Sequence, residues 1–330
     1  MQAVIMPTDR CNLRCKHCLR SQYKDEDLSL NDLRLFLSEF ECNLLGYDFC
    51  LTGGEATLHR EFSNILEILG EYDFTGSIVT NGQNLEGINE IVNYKKIFNY
   101  VLISLEGPIA SVNDSIRGRG SFEKAVHAIK ILKANGIKVH IRNTLNAKNI
   151  DYIEEMFVFA RKLKIDLLNF SIIQPCKNGL KNNILITWER FEEAKAEFKE
   201  VYIKYPEVKA IFGTRNIKKF FDSEWPQNLC RPMDDKHGEI TLKPNGDISL
   251  CCDLSDFGFN SDMLKERNYQ KLSHILGNIK KNCFEEILKN KEKITKIILR
   301  RRREDAFWGR LGENRESICE NCKFYFYKEA

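Results

Sequence analysis

The sequence predicts an α/β fold: a partial (β/α)6 parallel barrel followed by a small C-terminal domain that contains a β-hairpin. Six short apolar runs alternate with amphipathic segments up to about residue 180, which is typical of parallel strands joined by helices. After about residue 185 this alternation stops. Asn245-Gly246 then separates two alternating runs, which is the strongest short-range signal for a hairpin.

The strands and helices of the barrel are indicated by the spacing of their apolar residues. Strands are expected at residues 2–6, 47–51, 77–80, 100–105, 138–142 and 167–173. Helices are expected from Ser29 onward and over 61–71, 85–95, 121–135 and 150–163. Ser29 is a typical N-cap residue, and Asp32 lies where a helix dipole favours negative charge.

The last third of the chain is organised differently. A long charged helix is expected from Thr187 to about 204, a hairpin over 239–251 and a further helix over 283–303. We therefore expect three regions, namely a partial barrel over 1–185, a helical bridging segment over 186–228 and a second domain over 229–330.

The composition excludes several classes of protein. The chain has 330 residues, of which 43% are hydrophobic, and this is enough for one large or two ordinary domains. Lys and Arg number 50 against 47 Asp and Glu, so nothing indicates nucleic acid or a membrane as a partner. Because no apolar run approaches a membrane span and no signal peptide is recognisable, we expect a cytoplasmic protein. Its 12 cysteines then indicate metal binding or catalysis rather than disulfides.

The polar and glycine-rich breaks of the barrel all follow predicted strands. They are Cys11–Cys18, Gly53-Gly54-Glu55, Asn81-Gly82, Glu106-Gly107 and Gln174-Pro175. Because the carboxyl ends of parallel strands meet at one edge, these loops are expected to form one site.

The first of these loops contains three cysteines in the spacing C-x3-C-x2-C, at Cys11, Cys15 and Cys18. Soft thiolates suit iron–sulfur clusters, and three of them hold three irons of a [4Fe–4S] cube. The loop has no fourth cysteine, so the fourth iron would be open to a non-protein ligand. A structural zinc site is the alternative.

This loop, followed by Gly53-Gly54-Glu55 after the second strand, resembles the radical S-adenosylmethionine (SAM) superfamily. Further matching motifs are Thr80–Gly82, Ile103–Pro108, Arg117-Gly118, Gly120–Phe122, and Thr144 with Asn149. The resemblance runs in order over roughly residues 3–180. It implies that the cluster binds SAM and donates one electron to it, and that the resulting 5′-deoxyadenosyl radical abstracts a substrate hydrogen atom. The electron would come from a reductant such as flavodoxin or ferredoxin.

The resemblance also assigns a set of SAM-binding residues: His17, Gly53, Gly54, Glu55, Asn81, Ser104 and Arg142. The two glycines allow close approach of the backbone, and Glu55 suits the ammonium group of SAM. Ser104 suits a ribose or a carboxylate, and the permanent charge of Arg142 suits the SAM carboxylate. His17 stands where the family usually has an aromatic residue that touches adenine, while Asn81 is a weaker candidate for nucleoside contacts.

The final third resembles the auxiliary-cluster domain called SPASM, or its shortened form called twitch. The matching cysteines are Cys230, Cys251, Cys319 and Cys322, which suffice for one auxiliary [4Fe–4S] cluster. The full pattern continues with more cysteines beyond the C-x2-C pair than this sequence contains. Cys252 and Cys283 are spare, and either is an alternative ligand. Zinc is an alternative to iron here, since C-x2-C pairs also suit tetrahedral zinc.

Cys176 and Cys252 have two interpretations each, and Cys42 and Cys50 stand outside these patterns. Cys176, at the end of the sixth strand, and Cys252 are candidate catalytic thiols that return a hydrogen atom to a substrate radical. The alternative is an ordinary buried cysteine at position 176 and an unused neighbour of Cys251 at position 252. Cys42 and Cys50 are expected to be core residues, because free cysteine packs like a small hydrophobe.

The sequence leaves the substrate open. The first hypothesis is modification of a peptide or protein, by epimerisation or crosslinking, because enzymes with this ending often mature ribosomal peptides. The expected start of the barrel at residue 3 counts against it, because it leaves no room for a preceding peptide-recognition domain. The second hypothesis is a dehydrogenase or epimerase of a small molecule such as an aminosugar. A non-catalytic metal-binding protein is the third, and the intact cysteine and Gly-Gly-Glu motifs argue against it.

Overall fold

The computed structural model describes residues 1–20, 23–43, 45–174, 176–213, 238–252 and 273–307. The strands are β1 (Gln2–Ile5), β2 (Asp48–Leu51), β3 (Thr75–Thr80), β4 (Phe98–Ser104), β5 (Val139–Leu145), β6 (Leu167–Ile172), β7 (Ala210–Gly213), β8 (Glu239–Leu242), β9 (Asp247–Ser249) and β10 (Ile275–Asn278). The helices are α1 (Leu30–Cys42), α2 (Phe62–Glu71), α3 (Leu85–Asn93), α4 (Ala110–Arg117), α5 (Ser121–Ala134), α6 (Ile153–Lys162), α7 (Lys177–Lys181), α8 (Trp188–Lys204) and α9 (Phe284–Phe307).

All these strands belong to one sheet in the order β10-β9-β8-β1-β2-β3-β4-β5-β6-β7. Strands β1 to β7 are parallel, and β8 is parallel to β1, while β9 and β10 run antiparallel to their neighbours. The sheet ends at β7 on one side and at β10 on the other, so it is an open, partial barrel. The predicted fold class is confirmed.

The six predicted barrel strands are confirmed to within three residues at either end. The structure adds β7, which pairs with β6 and extends the barrel by one strand. The hairpin is also confirmed, with Gly246 at a φ of +83° in its turn, where glycine is favoured. However, its strand β8 pairs directly with β1, so the hairpin continues the sheet of the barrel.

The helical caps form as the sequence predicts. The Ser29 hydroxyl accepts a hydrogen bond from the Asp32 N–H at 3.1 Å, and Thr187 caps α8 in the same way through Arg190 at 3.2 Å. Phe284 at the start of α9 packs its ring against Phe36 of α1, with centroids 6.1 Å apart. The C-terminal helix is thereby anchored on the first helix of the barrel.

The two faces of the sheet differ in burial. One face is fully buried and forms the apolar core with the helices, through residues such as Ile5, Phe49, Ile103 and Ile141. The opposite face, which we call the inner face, includes half-buried or exposed residues such as Cys50, Ser104, His140, Arg142 and Asn169. A parallel sheet normally has both faces covered, so an incompletely covered inner face leaves room for a ligand. In the described part of the chain, no helix is both long enough and apolar enough to cross a membrane.

Candidate active site

The loop that follows β1 packs against the loop that follows β2. The Gly54 N–H donates to the Thr8 carbonyl at 3.1 Å, and the Glu55 N–H donates to the Arg10 carbonyl at 2.8 Å. A Cβ atom on Gly54 would overlap the Arg10 carbonyl oxygen, and Gly53 has a φ of +121°. Both positions therefore require glycine. From the sequence, the two glycines were expected to let the backbone approach a ligand closely. In the structure, it is the backbone of the cysteine loop that lies close to them.

The cysteine loop gathers its three thiols in a partly buried position. Cys11, Cys15 and Cys18 are each half-buried, and the Cys18 N–H donates to the Cys15 carbonyl at 3.1 Å. Burial raises the pKa of the Cys15 thiol to about 12, and the nearby Cys18 and Cys11 add to the rise. Three such thiols become thiolates when a cation compensates their charge, because metal binding drives deprotonation. The donor set therefore fits an iron–sulfur cluster.

Two nitrogen donors face the sulfur atoms of this loop. Asn81 Nδ2 lies 4.0 Å from Cys11 Sγ, and Arg117 Nη1 lies 3.8 Å from Cys15 Sγ. Asn81 also donates to Asn12 Oδ1 at 2.8 Å, so it supports the cysteine loop as well as standing near the expected nucleoside site. N–H donors directed at sulfur are typical of iron–sulfur sites.

Glu55 is almost completely buried and accepts hydrogen bonds from three neighbouring residues. Its Oε1 accepts from the hydroxyls of Thr57 at 2.7 Å and Thr80 at 2.6 Å, and its Oε2 accepts from the Asn81 N–H at 2.7 Å. Burial raises the pKa of this carboxyl, although these hydrogen bonds and one from the Thr57 N–H oppose the rise. When ionised, a carboxylate forms strong charge-assisted hydrogen bonds with an ammonium group. Such a group is suited to an ammonium ligand.

A buried charged network lies on the other side of the cysteine loop. Glu106 is fully buried, and its Oε1 accepts from Arg117 Nη2 at 2.6 Å and Nε at 3.1 Å, while its Oε2 accepts from the Thr144 N–H at 2.6 Å. His17 Nε2 lies 3.3 Å from the same Oε1 atom. Sequence reasoning noted Glu106 and Arg117 only as parts of motifs. A carboxylate directly after an apolar strand was the available signal, but its partners are distant in sequence.

His17 is oriented by this network. Burial lowers its pKa to about 4, although the neighbouring Glu106 opposes that change. Its Nδ1 atom is buried and has no hydrogen-bond partner among the described residues. The ring is therefore neutral near pH 7, with one nitrogen directed at Glu106 and the other available to a ligand.

The remaining predicted SAM contacts lie on the inner face. Ser104 at the end of β4 is paired in register with Arg142 of β5, so the two side chains are neighbours on one face of the sheet. Arg142 is exposed. Ser104 and Arg142 thus form a polar pair next to the carboxyl edge of the sheet.

Cys176 lies behind the cysteine loop. It is buried and caps α7, where its sulfur accepts from the Gly179 N–H at 3.3 Å. The same sulfur lies 3.6 Å from the Cys18 carbonyl, and Asn178 Nδ2 donates to that carbonyl at 2.9 Å. These contacts favour the interpretation of Cys176 as a buried structural residue that supports the loop. A role as hydrogen donor stays a prediction.

A second group of metal-ligating side chains lies where β8 begins and β9 ends. The ligand atoms of Glu239, Cys251 and Cys252 all lie within 4.8 Å of one another, with Cys251 buried and Cys252 half-buried. Cys283 is exposed and precedes α9. The other predicted auxiliary ligands, Cys230, Cys319 and Cys322, lie outside the described residues. The described part therefore supplies Cys251 and, beside it, Cys252 as candidate ligands.

The expectation that Cys42 and Cys50 are core residues is wrong. Cys42 is exposed at the last turn of α1, and Cys50 is half-buried on the inner face. Burial against its neighbours raises the pKa of Cys50 to about 12, and the nearby Cys252 and Glu239 add to this rise. The apolar run of β2 misled the prediction, because its alternate residues face opposite sides of the sheet.

Comparison with protein families gives two matches. Residues 5–160 match the radical SAM superfamily, and residues 230–323 match the iron–sulfur cluster-binding domain called SPASM. The first match contains the cysteine loop, the Gly-Gly-Glu loop and the Glu106–Arg117 network. The second contains Cys251 and Cys252.

Individual relatives agree with these matches. The chain is 32% identical to mycofactocin maturase MftC from Mycobacterium tuberculosis over 160 residues, which cover 47% of this chain and 40% of that protein. It is 23% identical to an AdoMet-dependent heme synthase from Methanosarcina barkeri, covering 97% of this chain and 90% of the relative. The chain spans between two fifths and half of the length of the first curated relatives that it matches.

A solved structure shares the fold. Streptococcus suis SuiB, in a crystal structure bound to the precursor peptide SuiA, aligns with a TM-score of 0.65 at 19% identity. The alignment covers 78% of this chain and 61% of that one. At this level of identity, the likeness concerns the fold alone.

Proposed function

We propose that this chain, which belongs to the radical SAM superfamily and carries a SPASM-type iron–sulfur domain, cleaves SAM reductively in order to modify a peptide. Radical SAM enzymes use a [4Fe–4S] cluster and SAM, and the SPASM domain adds an auxiliary iron–sulfur cluster. The observation that carries the proposal is the cysteine loop, which is held between the buried carboxylates Glu55 and Glu106 at the carboxyl edge of the sheet.

Cys11, Cys15 and Cys18 would hold the first cluster. Together with SAM, this cluster would supply the chemistry of one-electron cleavage and hydrogen abstraction from the substrate. Asn81 and Arg117 present N–H groups to the sulfurs of Cys11 and Cys15. These donors fix the orientation of the ligands, as partners outside the ligand set commonly do.

The SAM molecule would lie between the cysteine loop and the inner face. Glu55 would accept from its ammonium group, and Arg142 would pair with its carboxylate. Ser104 would contact the ribose, and the Nδ1 atom of His17 would contact the adenine.

The remaining predicted residues would support this site. Gly53 and Gly54 would hold the cysteine loop against the loop after β2, and Asn81 would lie beside the nucleoside.

The auxiliary cluster would lie at the opposite end of the inner face. Cys251 would be a ligand together with Cys230, Cys319 and Cys322, and we propose iron rather than zinc because residues 230–323 match an iron–sulfur domain. The regions 1–185, 186–228 and 229–330 would serve as catalytic barrel, bridge and auxiliary domain. A flavodoxin or ferredoxin would supply the electron.

A peptide substrate is supported by two observations. The inner face is polar and half-buried, and the sheet does not close around it. The maturase MftC is among the relatives, and SuiB, which shares the fold, was crystallised with a precursor peptide. Epimerisation or crosslinking of the peptide would both begin with the same hydrogen abstraction.

A small-molecule substrate is the second candidate. The heme synthase covers nearly the whole chain, although at lower identity than the maturase. An aminosugar belongs to the same candidate class. The discriminating experiment incubates the reduced, reconstituted enzyme and SAM with peptides encoded beside its gene and, separately, with porphyrin and aminosugar substrates. We expect a mass change in the peptide alone, and turnover confined to the small molecules would contradict the proposal.

Iron and sulfide analysis tests the cofactor assignment separately. We expect about eight irons and eight sulfides per chain after anaerobic reconstitution, since two [4Fe–4S] clusters contain that number. A content near four irons with bound zinc would contradict the auxiliary iron–sulfur cluster.

A further inference from the structure

Arg117 occupies an unusual position for a buried cation. It is the last residue of α4 and is 8% exposed. The Nε and Nη2 edge of its guanidinium contacts the Glu106 carboxylate at 3.1 and 2.6 Å, and its Nη1 atom lies 3.8 Å from Cys15 Sγ. Because the guanidinium is planar, these two hydrogen bonds to the single Oε1 atom of Glu106 restrict the direction of the third nitrogen. That direction is toward the sulfur.

The backbone around Arg117 is held from both sides. The Lys16 N–H of the cysteine loop donates to the Ile116 carbonyl at 2.9 Å, so this loop is bonded to the last turn of α4. On the other side, the Glu106 N–H donates to Asn113 Oδ1 at 2.8 Å. Helix α4 is thus bonded to the cysteine loop through Ile116 and to Glu106 through Asn113. The Cys15 sulfur, the Arg117 guanidinium and the Glu106 carboxylate are therefore held in fixed positions relative to one another.

Arg117 is the charged group that directly faces the Cys15 sulfur. Arg117 Nη1 lies 3.8 Å from Cys15 Sγ, whereas Glu106 contacts the Nε and Nη2 edge of the guanidinium, so the arginine stands between the sulfur and the carboxylate. A cation near a cluster sulfur stabilises the reduced state, which carries one more negative charge. Hydrogen bonds to sulfur and the net charge near a cluster are both known to set its reduction potential.

We propose that Arg117 is a positioning residue that fixes the Cys15 ligand and raises the reduction potential of the SAM-binding cluster, with Glu106 limiting the size of this effect. The inference rests on the proposed function only in that Cys11, Cys15 and Cys18 hold that cluster. No bond forms or breaks at Arg117. Its contribution is to make the one-electron reduction of the cluster more favourable than the three cysteines alone would.

The test is a redox titration of the reconstituted full chain, followed by electron paramagnetic resonance. The signal to follow is the one that changes when SAM is added, because it belongs to the cluster with the open iron. We expect Arg117→Gln to lower the equilibrium constant for one-electron reduction about tenfold, which is about 59 mV in midpoint potential. Arg117→Lys keeps the charge, so its constant is expected to stay within about threefold of wild type.

Glu106→Gln tests the sign of the effect. The amide oxygen of the substituted side chain can still accept from Arg117, but the opposing negative charge is gone, so the potential is expected to rise. Arg14→Gln is the matched control, because Arg14 is an exposed arginine that donates to the Cys11 carbonyl at 2.8 Å. Its removal is expected to change the constant less than about twofold, since exposed charges are screened by water.

Opposite shifts in Arg117→Gln and Glu106→Gln would support the proposal, since a loop that is merely loosened would move both variants in one direction. If Arg117→Gln loses its iron, the other two variants decide. A raised midpoint potential in Glu106→Gln, together with a midpoint potential close to that of wild type in Arg117→Lys, would support the proposal. Shifts of the same sign, or no shift beyond that of Arg14→Gln, would overturn it. A wild-type protein without any SAM-sensitive signal would instead contradict the proposed function.

Discussion

Replacement of Glu55 by glutamine separates the observed hydrogen bonds of this buried carboxylate from its proposed role in binding the SAM ammonium group. Glu55 accepts from two threonine hydroxyls through one oxygen and from the Asn81 N–H through the other. A glutamine can place its amide oxygen toward Asn81 and its NH2 toward Thr57 and Thr80, whose hydroxyls can rotate and accept. The local hydrogen bonds are thus kept in Glu55→Gln, while the negative charge for the SAM ammonium is lost.

The magnitudes follow from this geometry. A hydrogen bond to a charged group contributes about 1.5–3 kcal/mol, so we expect Glu55→Gln to weaken SAM binding by about 2 kcal/mol, or roughly 30-fold in Kd. Its free energy of unfolding should fall by only about 1 kcal/mol. In Glu55→Ala, three buried donors lose their partner at about 1–3 kcal/mol each, so that variant should be several kcal/mol less stable.

Two assays check this prediction. Calorimetric titration of SAM into the anaerobically reconstituted variants gives the Kd, and urea unfolding of the metal-free proteins gives the stability. Glu90→Gln, at a partly buried carboxylate that accepts from Ser63 on the outer helices, is the control and should leave SAM binding unchanged. Equal SAM affinity in wild type and Glu55→Gln would refute the assignment of Glu55 to the ammonium group.

Three further predictions concern the loops and the second cluster. Gly54→Ala should lower the iron content and reduce the stability by several kcal/mol, as measured by iron assay and urea unfolding, because its Cβ overlaps the cysteine loop. Gly136→Ala is the control, because its new Cβ meets nothing within 4 Å. It should lower the free energy of unfolding by only about 1 kcal/mol, which comes from the positive φ. An equal loss of stability in both variants would argue that Gly54 is not needed for packing of the cysteine loop. Cys176→Ala should lower stability by about 1–2 kcal/mol and reduce 5′-deoxyadenosine and product together, whereas loss of product alone in a chromatographic assay would identify a hydrogen donor. Cys251→Ala should remove about half of the iron, while the exposed Cys42→Ala should keep all of it; iron analysis showing equal content would exclude Cys251 as a ligand.

The sequence predicted the parts of the fold that depend on local pattern. The barrel strands, the Ser29 and Thr187 caps and the hairpin turn at Gly246 each follow from residue types at short range. Strand β7 was missed because its place in the sheet is set by pairing with β6 rather than by a pattern in its own sequence. The pairing of β8 with β1 was missed for the same reason, since it joins segments at opposite ends of the chain.

The same distinction between local pattern and long-range packing applies to the candidate site. The three cysteines and the strand-end loops were predicted, because motif spacing and strand polarity are visible in a sequence. The network of His17, Glu106 and Arg117 was not predicted as a unit, because it joins two loops and a helix end that only tertiary packing brings together. The inner-face position of Cys50 also needed the observed register, since an apolar strand does not reveal which of its faces is covered.

Release of 5′-deoxyadenosine tests the central claim most directly. The full chain is reconstituted with iron and sulfide without oxygen, reduced, and incubated with SAM, and the nucleoside is measured by chromatography. We expect the wild-type protein to release 5′-deoxyadenosine and Cys15→Ala to release none, because the loss of one of three thiolates removes the cluster that delivers the electron. Equal release by the two proteins, or none by a wild type with full iron content, would contradict the account.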